Sequence, residues 1–384
     1  MDIIVDGGFN KDLITLKKEG NLPISHVIAH VPGNPMGNSS IFLPKNLPSM
    51  GDFEDFITLL KENGIVPIAG LDSTCQGNLE AHAKQVDANL ALLDKLKELE
   101  INEILVSSPN NVGFLRAKYP ASKIYLSYSQ FVTTLNRARI FFDIGVDVIT
   151  VHPDILRDMK ILENMLKLPS KMDKNREFDY ILPLNIGCNW GCIQWYSHHN
   201  MQSHRTTFSP VLNDQESISG VKHEYDHPLL YCWRRRINEP GNLLRAGWIS
   251  PDNLQKYQKL GYNKFLVCTN GMDQKQAKHT LQSYAMGVLE APLNKLLNIP
   301  HPYGDYWQSS LANESLGQLE PSLVKEFNAN HPSNTNHAKE NEIEEYCAEY
   351  GKKLKPTKAE ASTVVLEIIN QNLKRIHKGA IAGD

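Results

Sequence analysis

The chain repeats one local pattern four times: an amphipathic helical stretch, a glycine or polar break, and then a short apolar run. The four apolar runs are 65–70, 103–108, 146–152 and 262–268. Three of the breaks contain Gly64, Gly145 or Gly261, and glycine ends a helix well because it enters the left-handed region without strain. The runs are rich in β-branched residues and nearly continuous in apolar character, which is typical of strands covered on both faces. The pattern therefore predicts alternating helices and parallel strands.

Four further apolar segments lie between or beside these units, at 25–31, 123–129, 179–185 and 243–249. Together they bring the predicted number of strands to eight, with helices between most of them. Eight βα units are typical of a (β/α)8 TIM-like barrel, and a doubly wound open sheet is the alternative. The strand count favours the barrel, as does the absence of a GxGxxG motif after the first strand.

The alternation stops at about residue 290. Beyond it the sequence predicts three helices, over roughly 317–328, 339–354 and 358–378, and a polar, Asn-rich segment at 328–337. We therefore expect a barrel domain over residues 1–290 and a helical C-terminal extension over 291–384. Such an extension would pack on the barrel or on a partner.

Composition excludes several classes of protein. The 384 residues include 40 basic and 43 acidic side chains, a net charge of −3 that argues against a nucleic-acid-coating protein. The sequence contains no run of about 18 apolar residues, so no membrane span is predicted. Residues 1–12 lack the features of a secretory signal. We therefore expect a cytoplasmic protein. In that reducing compartment its six cysteines are expected to be thiols or metal ligands.

Five of the cysteines follow predicted strands or lie in an insertion on the same face of the barrel, where the reactive groups of such folds are found. They are Cys75, Cys188, Cys192, Cys232 and Cys268, whereas Cys347 lies in the extension. A set of thiols at one barrel mouth predicts a metal or cluster site. The alternative is that each cysteine is a small buried hydrophobic residue.

The sharpest motif is Cys188-x3-Cys192, with Gly187 and Gly191 beside it. The glycines let the backbone curl so that both thiolates face one ion or cluster. Structural zinc sites more often use a CxxC spacing, whereas a 4Fe–4S cluster takes about four thiolates from separated segments. The spacing therefore favours an iron–sulfur cluster, with zinc as the alternative.

Two polar segments accompany the cysteines. His198 and His204, in the run after Cys192, are candidates for metal ligands, acid–base groups or groups that hydrogen-bond a substrate. Arg234, Arg235 and Arg236 are candidates for clamping a carboxylate or phosphate of the substrate. A solvated loop is the alternative for either segment.

The segments 185–204, 248–265 and 72–78, together with Cys232, resemble the peptidase U-32 family of collagenase-like peptidases. The likeness runs from about residue 8 to residue 290. It implies a barrel-like fold and a cysteine-bound 4Fe–4S cluster. Relatives support oxygen-independent hydroxylation in ubiquinone synthesis or of RNA bases. By this resemblance Cys188, Cys192 and Cys232 fall on cluster positions. His198, Asn200, Ser203 and His204 fall on the family's polar loop.

The sequence departs from the family pattern at several positions. Arg236 stands where the family has its next cysteine, and Ile193, Ser250, Leu266 and Asn270 replace a proline, two arginines and a lysine. The fourth cluster ligand is then Cys75 or Cys268, or the cluster has three thiolates and an open iron. Altered or lost chemistry is a further alternative.

The leading hypothesis is an iron–sulfur enzyme that modifies a small molecule or peptide by oxygen-independent hydroxylation or related redox chemistry. His198, His204 and Asn200 would be its catalytic residues. Two alternatives stay open. One is a peptidase or hydrolase of the same family, and the other is a non-catalytic partner subunit that holds an active relative through residues 300–384.

Overall fold

The computed structural model describes residues 1–20, 22–43, 48–169, 172, 176–212, 226–334 and 340–381. Its centre is a closed barrel of eight parallel strands in chain order. The strands are β1 (Asp2–Asp6), β2 (Ile24–His30), β3 (Val66–Leu71), β4 (Glu103–Val106), β5 (Lys123–Leu126), β6 (Val148–Thr150), β7 (Asp179–Pro183) and β8 (Lys264–Cys268). Pairing of Asp2 with Lys264 through to Asp6 with Cys268 closes the barrel. The predicted (β/α)8 barrel is therefore confirmed.

One or more helices follow each strand of the barrel. These helices are α1 (Asp12–Glu19), α2 (Met50–Glu62), α3 (Ala83–Glu98), α4 (Pro109–Lys118), α5 (Leu135–Asp143), α6 (Met159–Lys167), α7 (Trp195–Thr206), α8 (Asp226–Asn238), α9 (Gly241–Arg245), α10 (Leu254–Leu260) and α11 (Gln274–Met286). The C-terminal region adds α12 (Ser309–Ser315), α13 (Pro321–Asn330), α14 (Glu340–Gly351) and α15 (Ala359–Ile381).

The strands are buried on both faces, and successive residues alternate between two apolar layers. One layer fills the barrel with a side chain from every strand: Ile4, Ile28, Ile68, Leu105, Tyr125, Val148, Ile181 and Leu266. The other layer lies between strands and helices and includes Val5, Ile104 and Phe265. This arrangement explains the continuous apolar runs in the sequence.

The predicted number of strands is right, although one of the predicted strands is wrong. Residues 243–249 are not in the sheet, because β7 pairs directly with β8. They form the end of α9 and a turn in which the Trp248 indole donates to the Leu243 carbonyl over 2.7 Å. Their apolar character comes from packing of Leu243, Leu244 and Trp248 in the core. The eighth strand is instead β1, which the sequence analysis did not identify.

The C-terminal helices pack on the insertion that follows β7. Helix α14 lies on α9, and α15 lies on α8 and α12. A helical C-terminal region is therefore confirmed, while the division into two domains at residue 290 stays a prediction. No helix in the described ranges is long and apolar enough to cross a membrane.

Candidate thiol centre at the barrel mouth

The loop after β7 carries the CxxxC motif and is fixed by backbone contacts. Ile186 forms a β-bridge with Asn298, and the Gly187 amide donates to the Asn298 carbonyl over 2.8 Å. A Cβ atom on Gly187 would lie 2.5 Å from a carbon of Ile299, so only glycine fits there. Gly191 has a φ of +59° in the left-handed region. Both glycines beside the cysteines therefore have a structural reason, one from close approach and one from backbone conformation.

Three of the predicted ligands come together at the end of this loop. Cys188, Cys192 and Cys232 line one small cavity, and Arg236 lies against it from α8. Cys232 and Arg236 are one helical turn apart, so they share a face of α8. The cavity has a volume of about 10 Å³, which is about the space of one water molecule. The three thiols therefore border a space no larger than one water molecule.

The thiols differ in acidity because their neighbours differ. Burial raises the pKa of Cys188 to about 12. The Cys192 thiol donates a hydrogen bond to Cys232, which raises the pKa of Cys192 and lowers the pKa of Cys232. The Arg236 guanidinium also favours the thiolate of each of the three cysteines. The first of the three thiols to ionise is therefore expected to be Cys232.

Arg236 is a buried cation with an incomplete set of partners. Its side chain is 1% exposed, and its Nη2 donates to the Gly187 carbonyl over 2.7 Å. Its Nε and Nη1 have no hydrogen-bond partner in the described part of the chain, and no carboxylate there forms an ion pair with it. Buried charges are normally paired. Two charged N–H donors at the thiol cavity therefore have no hydrogen-bond acceptor among the described residues.

Two histidines of α7 form another wall of the cavity. Burial lowers the pKa of His198 to about 3 and that of His199 to about 4, so both imidazoles are neutral at pH 7. His199 Nδ1 donates to the Ser39 carbonyl over 2.8 Å, which leaves its Nε2 as an acceptor without a partner in the described residues. The sequence indicated His198 but not His199.

The polar run after Cys192 is helix α7, and its other predicted residues lie away from the thiol cavity. His204 Nε2 is 3.2 Å from Cys75 Sγ, and both side chains are half-buried. The Asn200 side-chain oxygen accepts a hydrogen bond from the Thr74 hydroxyl over 2.7 Å. His204 and Asn200 therefore hold the loop after β3 against α7. Cys75 has a histidine partner instead of the other thiols.

Cys268 ends β8 inside the barrel and is buried in a polar group of its own. Its thiol donates to Asp6 Oδ2 over 3.8 Å and accepts from Asn298 Nδ2 over 3.1 Å. Neither Cys268 nor Cys75 lines the cavity of the other three thiols. Of five cysteines expected at one site, the structure brings three together. Cys347 is buried in α14, as its place in the extension suggested.

The three arginines of α8 point in different directions, since successive residues of a helix turn by about 100°. Arg234 stacks on the ring of Tyr231 at 4.7 Å. Arg235 is exposed and pairs with Glu239 at 3.2 Å. Only Arg236 lies at the thiol cavity, so the three do not form a single clamp.

A second polar group at the barrel mouth was missed. His30 Nε2 lies 3.1 Å from Asp6 Oδ1, and His30 Nδ1 lies 3.4 Å from Asp72 Oδ1, with all three side chains buried. Burial disfavours the imidazolium, but the two carboxylates outweigh it and raise the pKa of His30 well above its usual value. Asn270 donates to Asp6 from the other side. Asp6 and His30 end β1 and β2, and Asp72 and Asn270 follow β3 and β8 within two residues. Polar residues at the C-terminal ends of barrel strands indicate a functional position, so the sequence could have revealed this group.

The described residues contain no group of three or more histidine, cysteine or acidic side chains that could hold a metal ion as they stand. Cys188, Cys192 and Cys232 therefore line one cavity without forming a ready-made metal site, and a bound cluster would require this cavity of about 10 Å³ to enlarge.

No protein-family model matches the chain, and no curated protein matches it. Among solved structures, the chain is similar to the U32 peptidase Mk0906, at 18% identity and a TM-score of 0.45 over 56% of this chain and 85% of that one. It is also similar to a psychrophilic glycoside hydrolase family 10 endo-β-1,4-xylanase (9% identity, TM-score 0.29, 54% and 80% covered). The chain is also similar to an α-amylase from Lactobacillus plantarum, at 10% identity and a TM-score of 0.34 over 75% of this chain and 79% of that one. At these identities and TM-scores, the similarities do not indicate the family or the activity of this chain.

Proposed function

We propose that this chain is an iron–sulfur enzyme that modifies a small molecule or peptide in the cytoplasm by oxygen-independent hydroxylation or related redox chemistry. One observation carries the proposal. Cys188, Cys192 and Cys232 line one cavity at the barrel mouth beside Arg236, whose buried guanidinium has no anionic partner among the described residues. The C-terminal end of the strands is where barrel enzymes hold their reactive groups.

The donor chemistry fits a 4Fe–4S cluster. Thiolates are its ordinary ligands, and hydrogen bonds to its sulfurs tune it. Cys188, Cys192 and Cys232 would hold it, and the unpartnered Nε and Nη1 of Arg236 would face its negative charge. When bound, such a cluster supplies electron transfer and, with three protein thiolates, an open coordination position. Zinc is the alternative occupant.

The neighbouring side chains would handle protons and exclude water. His199 presents an unprotonated Nε2 at the cavity wall, so it can accept a proton there. His198 is neutral as well, and its Nε2 has no partner in the described ranges. Trp195 and Ile41 close the cavity with apolar surface. In this proposal His198 and His199 are the proton-handling residues, and Arg236 balances charge instead of binding substrate.

The test is anaerobic reconstitution with iron and sulfide, followed by iron, sulfide and visible-absorbance measurement. We expect about four irons and four sulfides per chain and a charge-transfer band in the wild type, and loss of both in Cys188→Ser. Cys347→Ser is the matched control, because Cys347 is a buried thiol in α14 that does not line the cavity. Absence of iron from the wild type, or its replacement by zinc, would overturn the proposal.

One observation favours a second function, thiol-dependent hydrolysis. Cys75 and His204 form a half-exposed pair 3.2 Å apart, and burial lowers the pKa of His204, so its imidazole is neutral and can accept the thiol proton. Peptide turnover that Cys75→Ser abolishes and Cys188→Ser preserves would establish this hydrolase. Turnover that Cys188→Ser abolishes and Cys75→Ser preserves would instead place a peptidase at the thiol centre, and absence of peptide turnover would exclude the hydrolase.

A further inference from the structure

A cavity of about 370 Å³ lies between the barrel and the C-terminal helices. Its walls are Asp154 and Arg157 from the segment after β6, Trp190 from the CxxxC loop, Arg245 from α9, and His331 and Glu340 from the extension. The volume is in the range of pockets that hold small molecules. The CxxxC loop separates it from the thiol cavity, so it is a different site.

Arg157 is the cation at the base of this cavity. Its guanidinium stacks over the Trp248 ring at 4.4 Å and the Phe327 ring at 5.5 Å. Its Nη2 is buried without a hydrogen-bond partner in the described part of the chain, and no carboxylate there forms an ion pair with it. Aromatic faces therefore fix the position of this charge without neutralising it.

Two more lining side chains leave a donor unsatisfied. His331 Nδ1 accepts from the Ser333 amide over 3.2 Å and lies 2.7 Å from the Ser333 hydroxyl, which can donate to it as well, so we assign the proton of the neutral ring to Nε2. Its Nε2 is buried without a partner in the described residues. The Nη atoms of Arg245 pair with Glu340 at 3.3 Å and Glu344 at 2.9 Å, but its Nε has no partner there.

Three residues that line this cavity each have a buried side-chain donor without a hydrogen-bond partner in the described part of the chain: Arg157 Nη2, His331 Nε2 and Arg245 Nε. A buried donor without an acceptor destabilises the fold. A ligand rich in acceptors would offer partners to these side chains, and the Arg157 guanidinium would balance its negative charge. From this geometry we infer that the cavity binds a small oxyanion, a carboxylate or phosphate compound, with Arg157 as its anchor.

The occupant would share a wall with the CxxxC loop. The Trp190 indole donates to the Asp154 carbonyl over 3.3 Å, and the Gly191 amide donates to Asp154 Oδ2 over 3.0 Å. Arg245 also stacks on the Trp190 ring at 3.9 Å. Binding should therefore change the fluorescence of Trp190 or Trp248, which gives a direct readout that needs no cluster and no enzymatic activity.

The test titrates inorganic phosphate and glutarate separately into the full chain, at constant ionic strength with chloride as the control anion, and follows tryptophan fluorescence. We expect a saturable change in the millimolar range or below. Saturation by phosphate alone assigns the phosphate source, and saturation by glutarate alone assigns the carboxylate source. Saturation by neither probe, or an equal response to chloride, would overturn the inference.

Two substitutions separate a built site from general charge attraction. Arg157→Gln should weaken binding about tenfold or more, since a charged hydrogen bond contributes about 1.5–3 kcal/mol. Lys160 lines the same cavity but is exposed, so Lys160→Gln removes the same charge and should weaken binding less than about twofold. Equal weakening by both variants would contradict the inference.

His331→Phe is the second variant, which keeps the charge and removes one donor. It should weaken binding about fivefold and serves as the deciding variant where Arg157→Gln does not fold. Unchanged binding in His331→Phe and Lys160→Gln alike, without a folded Arg157→Gln, would also contradict a donor-lined site.

Discussion

Replacing Arg236 with methionine should have opposite effects on the metal-free protein and on the reconstituted protein. Without a bound anion, the wild type holds a guanidinium that is 1% exposed and has two nitrogens without a partner in the part of the chain that the structure describes. An uncompensated buried charge costs about 3–5 kcal/mol. The substitution removes that cost but also takes the donor from the Gly187 carbonyl, which costs about 1–3 kcal/mol. Arg236→Met is therefore expected to stabilise the metal-free protein by about 2 kcal/mol.

The assay is urea unfolding of the reduced, chelator-treated protein at pH 6, where ordinary thiols are protonated and cannot neutralise the arginine. The expected result is an unfolding midpoint at higher urea in Arg236→Met. Arg235→Met is the matched control on the same helix, because Arg235 is exposed and paired with Glu239. It should change the unfolding free energy by less than about 0.5 kcal/mol. A lower midpoint in Arg236→Met would show that the buried guanidinium stabilises the metal-free protein.

The same variant should behave in the opposite way after reconstitution. Without Arg236 the thiolates and any anionic group that they hold lose their only charged donor among the side chains that line the cavity. Iron retention should then fall several-fold relative to both the wild type and Arg235→Met. Full retention by Arg236→Met would show that the guanidinium does not serve the thiol centre.

Three further predictions follow from particular positions. Arg236→Cys places a fourth thiol one turn after Cys232, so the reconstituted variant should hold iron longer than the wild type under air, as followed by visible absorbance. Burial lowers the pKa of His331 to about 3, so the unfolded state binds the proton first and unfolding free energy should fall as the pH drops below about 6.5. His331→Asn should show a smaller fall in urea titrations. Gly187→Ala forces a Cβ to within 2.5 Å of a side-chain carbon and should cost about 1–3 kcal/mol in urea unfolding. Gly113→Ala in α4, with open space around the added Cβ, should not destabilise.

The barrel could be predicted because its strands are buried on both faces, which leaves continuous apolar runs in the sequence. The same criterion misassigned 243–249, since a short apolar run at the edge of the core looks like a strand when its partners are unknown. Strand β1 was missed because it offers only the short run Ile3 to Val5 between aspartates, with no helix or glycine before it.

The thiol centre was predictable in part. Cys188 and Cys192 are neighbours in sequence, so their proximity follows from one loop. The meeting with Cys232 depends on how α8 packs on that loop, and the separate positions of Cys75 and Cys268 depend on side-chain partners that no spacing reveals. The sequence suggested that Arg236 binds substrate, because a run of three arginines is typical of a surface segment that can clamp an anionic group. Its burial follows from helix periodicity and from tertiary packing together.

We propose that three cysteines, and not five, hold the cluster. Native mass spectrometry of the anaerobically reconstituted protein tests this, with each of the five cysteines replaced by serine in turn. Cys188→Ser, Cys192→Ser and Cys232→Ser should lose the mass of the cluster, while Cys75→Ser and Cys268→Ser should keep it. Loss of the cluster in Cys75→Ser or Cys268→Ser, or its retention in any of the first three variants, would show that a different set of thiols holds it.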